Sequence, residues 1–268
     1  MIDQLRQRLQ ALQKAPGIEG RPGTLPFGIP AIDTILGGGL ARGALHEIAA
    51  TGEAHLPAAA GFALAVVSLS CPALCRASTS FDCIRKRNVD GRDKPGHDRS
   101  AVIWISEDMA LAESGAPHGT GLDAFGLAPE QLVTVSAAHR RDLLWAMEEA
   151  LRCHATTAVI GEMRAGTIDG VAIRRLSLAA AESGTLALLL RTEPPNDAST
   201  AATRWLVGAA PSIASGTPRL ATQLVRNRRG PTGTWILEWS DSDGQFILAT
   251  HAQPLAAPAL DRPHRQVA

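Results

Sequence analysis

Short apolar runs separated by helical periodicity limit what this chain can fold into. The runs are "ALHEIA" (44–49), "AVIWIS" (101–106), "QLVTVS" (131–136), "TTAVIG" (156–161) and "TLALLL" (185–190). A strand that is apolar on both faces needs cover on both faces. The cover is visible in the sequence. Residues 140–152 place Leu143, Leu144, Met147 and Leu151 at helical spacing, and residues 167–182 do the same with Ile168, Val171, Leu176 and Leu178. Strands alternating with amphipathic helices predict a doubly wound α/β domain with a mostly parallel sheet.

Other elements fit around that frame. Pro57 to Leu69 is small and apolar and predicts a buried helix. "AIDTIL" predicts a short helix with Pro30 at its first turn, stopped by Gly37–Gly39. After residue 204, "RWLVGAA", "RLATQLVRN", "GTWILEWS" and "QFILATH" read as strands joined by short turns such as "DSDG" (241–244), an antiparallel extension of the sheet. Residues 1–29 read as an amphipathic helix, with Ile2, Leu5, Leu9 and Leu12 on one stripe, and a Pro/Gly-rich linker. Residues 30–250 form the core, and the Pro/Ala-rich 251–268 a flexible tail.

One segment breaks the pattern. About thirty residues, "SCPALCRASTSFDCIRKRNVDGRDKPGHDRS", separate the helix ending near Leu69 from the strand at Ala101, where ~2–6 residues are usual. It is polar, basic and aperiodic, and predicts a disordered insertion at 71–100. Its string "SFDCIRKRNVDGRDKPGHD" resembles translated palindromic repeats scattered through bacterial genomes, which implies an in-frame insertion. Cys71, Cys75, Cys83 and His97 are metal-ligand types, but beyond the first pair their spacing matches no standard zinc signature.

The charge balance narrows the function. Among 268 residues, 26 are Lys or Arg and 26 are Asp or Glu, so the formal net charge is zero. A dedicated nucleic-acid binder carries a basic excess, so tight DNA binding through bulk charge is not expected. No apolar stretch reads as a membrane span and the N-terminus lacks a signal-peptide core, so a cytoplasmic protein with reduced cysteines is expected.

The strand-to-helix junction at Ala44–Val67 stands where many nucleotide-binding proteins carry a phosphate loop. Such a loop needs several glycines, a Lys for the phosphates and a hydroxyl for magnesium. Between Ala50 and Val67 there is no Lys or Arg, and Gly52 stands alone before Pro57 and Ala58–Ala60. No nucleotide, metal or other cofactor is expected.

Several strings carry a resemblance. "GIPAIDTILGGGLARGALHEIAATGE" resembles the segment of RecA recombinases leading into their phosphate loop. "AVIWISEDMAL" is similar to the RecA strand that ends in the catalytic glutamate, and Glu107 occupies that place. "RLATQLVRNRRGPTGTWILEWSDSDGQFIL" is similar to the RecA β-extension. More specific is the likeness to the ImuA family, carried by "FGIPAIDTILGGGLARGALHEI", "VIWISE", "RRLSLAAAESGTLALLLR", "ATRWLV" and "PRLATQLVRNRRGPTGTWILEW". That resemblance implies a RecA-like core without a working phosphate loop, acting as a non-catalytic accessory subunit of SOS-induced error-prone translesion synthesis. It implies as partners a polymerase-like mutagenesis subunit, an error-prone replicative-type polymerase and RecA, with DNA touched only indirectly or weakly. The family's likeness to SulA division inhibitors leaves a second reading, an inhibitor that binds the tubulin-like division protein.

The chain departs from RecA in two places. Gly161 falls where RecA carries its magnesium-site Asp, and Glu162 follows it. The segment 192–202 is short and has no basic residue where RecA has a mobile DNA-binding loop. Among single residues, Glu107 reads as a relic of the ATPase site or as a solvated strand end. His46 reads as a satisfied core histidine. Arg226, Arg228 and Arg229 in "RNRRG" are a candidate contact for phosphate or an acidic partner, or a solvated hairpin. Trp235 and Trp239, four apart on one strand, face one side and serve either the core or a partner surface.

Replacing residues 71–99 with a short Gly/Ser linker leaves the fold intact, because a long flexible loop adds only ~(3/2)RT ln n in closure cost. The melting temperature stays level or rises slightly. A large drop, or loss of stoichiometric zinc, contradicts this.

Overall fold

A computed structural model describes residues 23–70, 101–153, 155–164, 166–194, 199–212 and 218–249. The N-terminal helix, the insertion at 71–100 and the tail expected from the sequence lie outside the described residues. The chain enters through β1 (Thr24–Leu25), forms α1 (Pro30–Leu36) and returns as β2 (Leu40–Ala41), antiparallel to β1. Pro30 opens α1 as expected, and Gly37 ends it in the left-handed region at φ 72°. Gly39 is also left-handed, at φ 125°, and a Cβ there would collide with the Leu25 carbonyl, so glycine is what lets this ribbon close.

Next come β3 (Leu45–Ala50) and α2 (Leu56–Ser70). After the insertion follow β4 (Ala101–Glu107), α3 (Asp108–Ser114), α4 (Gly119–Ala124), β5 (Leu132–Ala137), α5 (Arg140–Arg152), β6 (Thr156–Met163) and α6 (Gly170–Ser183). The Asp169 side chain caps α6 by accepting from the Val171 N–H at 3.1 Å. The chain ends in β7 (Leu186–Arg191), β8 (Thr203–Ala209), β9 (Arg219–Asn227), β10 (Gly233–Ser240) and β11 (Gln245–Leu248).

The main sheet has nine strands in the order β11-β10-β9-β8-β3-β7-β6-β4-β5. From β8 to β5 all neighbours are parallel, and β9, β10 and β11 are added antiparallel. This is the doubly wound α/β architecture that the alternating pattern predicts, and the RecA-like fold that the resemblance implies. One assignment is corrected. "RWLVGAA" was expected in the antiparallel extension, yet β8 runs parallel to β3, pairing His46 with Thr203 and Ile48 with Trp205. The extension begins at β9. Residues 192–202 lead from the carboxyl end of β7 to the amino end of β8, and none of the described residues of that segment is helical.

Two cores flank the sheet. One joins α1 and α2 to the sheet and includes Ile48, Trp104, Ile160, Leu188 and Trp205. The other joins α5 and α6 to Leu45, Ile105, Val159, Met163 and Leu189. Glu53–Ser70 is long and apolar enough by composition to cross a membrane, but 67% of that window is buried inside the fold, as befits a core helix. Phe27, Phe62, Trp205 and Phe246 cluster beside α2 with ring centroids 5.3 to 6.1 Å apart. The cover expected on both faces stops short at β5, the edge strand, where Val133 and Val135 are exposed.

Residue 161 faces α5. A Cβ on Gly161 would collide with Met147 Sδ, which fills the space a side chain would need. Gly161→Ala therefore destabilises the protein by about 1–3 kcal/mol through overpacking. Combined with Met147→Ala, it costs less than the sum of the two single changes, because the sites are in contact. Denaturant unfolding of the three variants measures this.

Candidate functional site

In open α/β sheets ligands bind beyond the carboxyl ends of the strands. Here that region holds the β3–α2 junction, Glu107 at the end of β4, and Glu162 near the end of β6. The junction is drawn tight. The Thr51 N–H donates to the Val207 carbonyl at 3.0 Å and the His55 N–H to the Gly52 carbonyl at 2.9 Å. Glu53–His55 form one 3-10 turn, and His55 Nδ1 accepts from the Ala209 N–H at 3.1 Å, tying the turn to β8. A phosphate nest needs successive N–H groups turned inward through left-handed backbone. No residue from 51 to 56 adopts it; Gly52 is extended, at φ 170°.

The acids are held by protein groups. Glu107 is buried, and both its oxygens are engaged: Oε1 accepts from Arg140 Nε at 3.2 Å and Oε2 from the Arg164 N–H at 2.9 Å. Arg140 Nη1 also donates to the Thr167 carbonyl at 3.2 Å. A solvated strand end is thus not what Glu107 is. Glu162 is 4% exposed. Its Oε2 accepts from Trp104 Nε1 and from Ser106 Oγ, each at 2.9 Å. Because strand side chains alternate, Glu162 faces α2 while residue 161 faces α5. The acid is shifted by one residue and thereby onto the other face. Glu107, three residues after Trp104, projects toward α5, so the fold places the two acids on opposite faces and does not assemble them into one metal site.

Beside Glu162 lies a cavity of about 480 Å³, bounded by Leu56 and Ala60 of α2, by Trp104, and by the 113–117 loop. Arg164 at its rim pairs with Glu113, and its Nη2 is 3.8 Å from Glu53. Trp104 lies in the apolar run 101–106, and neither Arg140 nor Arg164 stands out in the sequence. Their sequence neighbours carry no motif, and only the sheet order brings them to the acids.

The other candidates sit elsewhere. Arg226, Arg228 and Arg229 lie at the β9–β10 turn, at the amino ends of the parallel strands, opposite to Glu107 and Glu162. Arg228 Nη1 donates to the Thr200 carbonyl at 2.9 Å, and Arg228 and Arg229 are exposed. Trp235 and Trp239 do face one side, and it is the core side. Trp239 is buried, donates from Nε1 to the Ala124 carbonyl at 2.9 Å and packs on Phe125 and Phe246. Trp235 is half-buried, 6.0 Å from the Trp205 ring. In β3, Glu47 is buried and accepts from Arg204 Nε at 2.6 Å and Ser199 Oγ at 2.7 Å, pinning the β7–β8 crossover to the central strand. The sequence signal for that pair, an acid inside an apolar strand, went unused.

His46 is buried as expected. Its Nε2 lies 2.9 Å from the Ala41 carbonyl, which can only accept, so Nε2 carries the proton. Its Nδ1 then accepts from the Thr203 hydroxyl at 2.8 Å. Burial lowers its pKa from 6.5 to about 4, opposed by the Ala41 bond and reinforced by the Arg229 charge.

The sheet order and the acids at its carboxyl end define a RecA-like α/β protein in which Glu107 and Glu162 are bonded by groups of the chain itself. No family model matches the sequence. Protein ImuA from two strains of Caulobacter vibrioides is 30% identical over 231 residues, covering 80% of this chain and 82% of the relative. The chain belongs to the ImuA family.

The His46 geometry sets a pH dependence. Between its folded value of about 4 and its unfolded value of 6.5, the unfolded chain holds the extra proton, so stability falls as pH falls through this window. The loss from this group reaches about 3 kcal/mol at the acid end. Denaturant unfolding across that range shows the decline, and His46→Gln flattens it.

Proposed function

We propose that this protein is a non-catalytic RecA-like accessory subunit of damage-induced, error-prone translesion DNA synthesis, and that it works through protein contacts in the cytoplasm. Membership of the ImuA family supports a part in damage-inducible mutagenesis. The observation that carries the non-catalytic reading is the junction: its Thr51 and His55 N–H groups bond within the chain, and no Lys or Arg stands between Ala50 and Val67. The pairing of Glu107 with Arg140 and the Arg164 backbone supports it further, since each oxygen of that carboxylate already accepts an N–H of the protein. The proposed partners are a polymerase-like mutagenesis subunit, an error-prone replicative-type polymerase and RecA, with DNA touched weakly or through them. Apolar side chains open to solvent on α5, α6 and β5, namely Trp145, Val171, Leu178 and Val133, supply surface of the kind protein partners cover. The basic turn at Arg226, Arg228 and Arg229 suits an acidic surface.

Purified protein shows no magnesium-dependent ATP turnover, with or without single-stranded DNA; turnover that disappears in Glu107→Gln overturns the non-catalytic reading. In cells, removing the gene lowers damage-induced mutation, and the protein co-purifies with a polymerase-like subunit. Truncation after Ala252 weakens that association while leaving stability unchanged. Arrested septation without polymerase association replaces this reading with that of a division inhibitor.

A further inference from the structure

The cavity beside Glu162 contains a carboxylate that the protein only half satisfies. Both bonds that Glu162 receives, from Trp104 and Ser106, fall on Oε2. Among the described residues Oε1 receives none, although the side chain is 96% buried and lines the cavity. No cation reaches it either, because Arg164, the cavity's one basic side chain, is committed to Glu113 and Glu53. Oε1 is left without a protein donor on the cavity side, so a charged donor that enters the cavity can bond it.

The walls restrict that occupant. Leu56, Ala60 and Pro117 make much of the lining apolar. An anion meets Glu162 and Glu113 and is repelled. A hydrated metal ion meets too few ligands, since among the described residues no three His, Cys, Asp or Glu side chains are grouped to hold one. A group with an apolar stem and a weakly hydrated, planar cationic head meets each part of the wall. Its N–H groups make charge-assisted bonds to Oε1, and its stem lies on the apolar residues. We propose that this cavity is a binding site for an alkylguanidinium, presented as an arginine side chain or as a small molecule. The proposal stands apart from the cellular role above, and neither depends on the other.

The Trp104 indole N–H, bonded to Glu162, reports on the site in nitrogen-15 spectra of the full chain. Butylguanidine moves that signal saturably. Butylamine binds more weakly, and butanol leaves the signal unchanged. Glu162→Gln keeps an oxygen for Trp104 and Ser106 and weakens butylguanidine binding about tenfold or more. Ala60→Leu, which fills the cavity from the helix side, also weakens it, and guards against a folding defect in the first variant. An arginine-containing peptide that binds more tightly than arginine amide assigns the site to a protein ligand; equal affinity assigns it to a small molecule. No shift with butylguanidine, equal binding to Glu162→Gln, or a saturable shift with magnesium ADP in its place overturns the proposal.

Discussion

Everything in this fold is arranged around the enclosure of α2. The helix is small-residued and apolar on nearly every side, with Ala59, Phe62, Ala63, Val66 and Val67 all buried. No single sheet face can cover such a helix. The parallel strands cover one side, and the antiparallel extension covers another by bringing Phe246 and Trp239 round to the same core. Phe27, on the loop before α1, closes the remaining gap against Phe62, Trp205 and Phe246. Each such ring contributes about 1.5–3 kcal/mol by burial. The extension is thus a structural necessity of the central helix before it is anything else. That is why Trp235 and Trp239 turn inward.

The electrostatics of the carboxyl end follow from what is missing there. Two acids at strand ends, with no lysine in the junction, would be left to desolvation alone. Each has been matched instead by a neighbour: Glu107 by Arg140 and the Arg164 backbone, Glu162 by an indole and a hydroxyl. The first arrangement engages both oxygens. The second is incomplete on one oxygen, and the cavity lies beside that oxygen. One acid is thus bonded on both oxygens and the other on one.

The parallel core was legible because its strands and helices repeat a strong local pattern: α5 spans the same residues, 140–152, that periodicity marks. The β8 direction was not legible. Direction is read from the connection, and the eleven-residue sequence 192–202 is too short to announce the usual helical crossover; Ser199 on Glu47 and Ala201 in the core lie against the sheet there. The short helices α3 and α4 escaped because each is at most seven residues and carries no clear apolar stripe. At the site, the missing lysine was readable in one dimension. The role of Glu162 was not, since it turns on a one-residue shift that moves a side chain through the sheet, and on partners 56 and 58 residues away.

The basic turn and the Glu162 cavity lie at opposite ends of the same strands. A strand of six residues, such as β3, separates its ends by about 20 Å. That is beyond the ~7–10 Å within which side chains ordinarily couple, and the matter between them is a sheet locked by its ladder and by the Glu47–Arg204 pair. A ligand in the proposed Glu162 site would sit about 20 Å from the basic turn, with a stiff sheet between them.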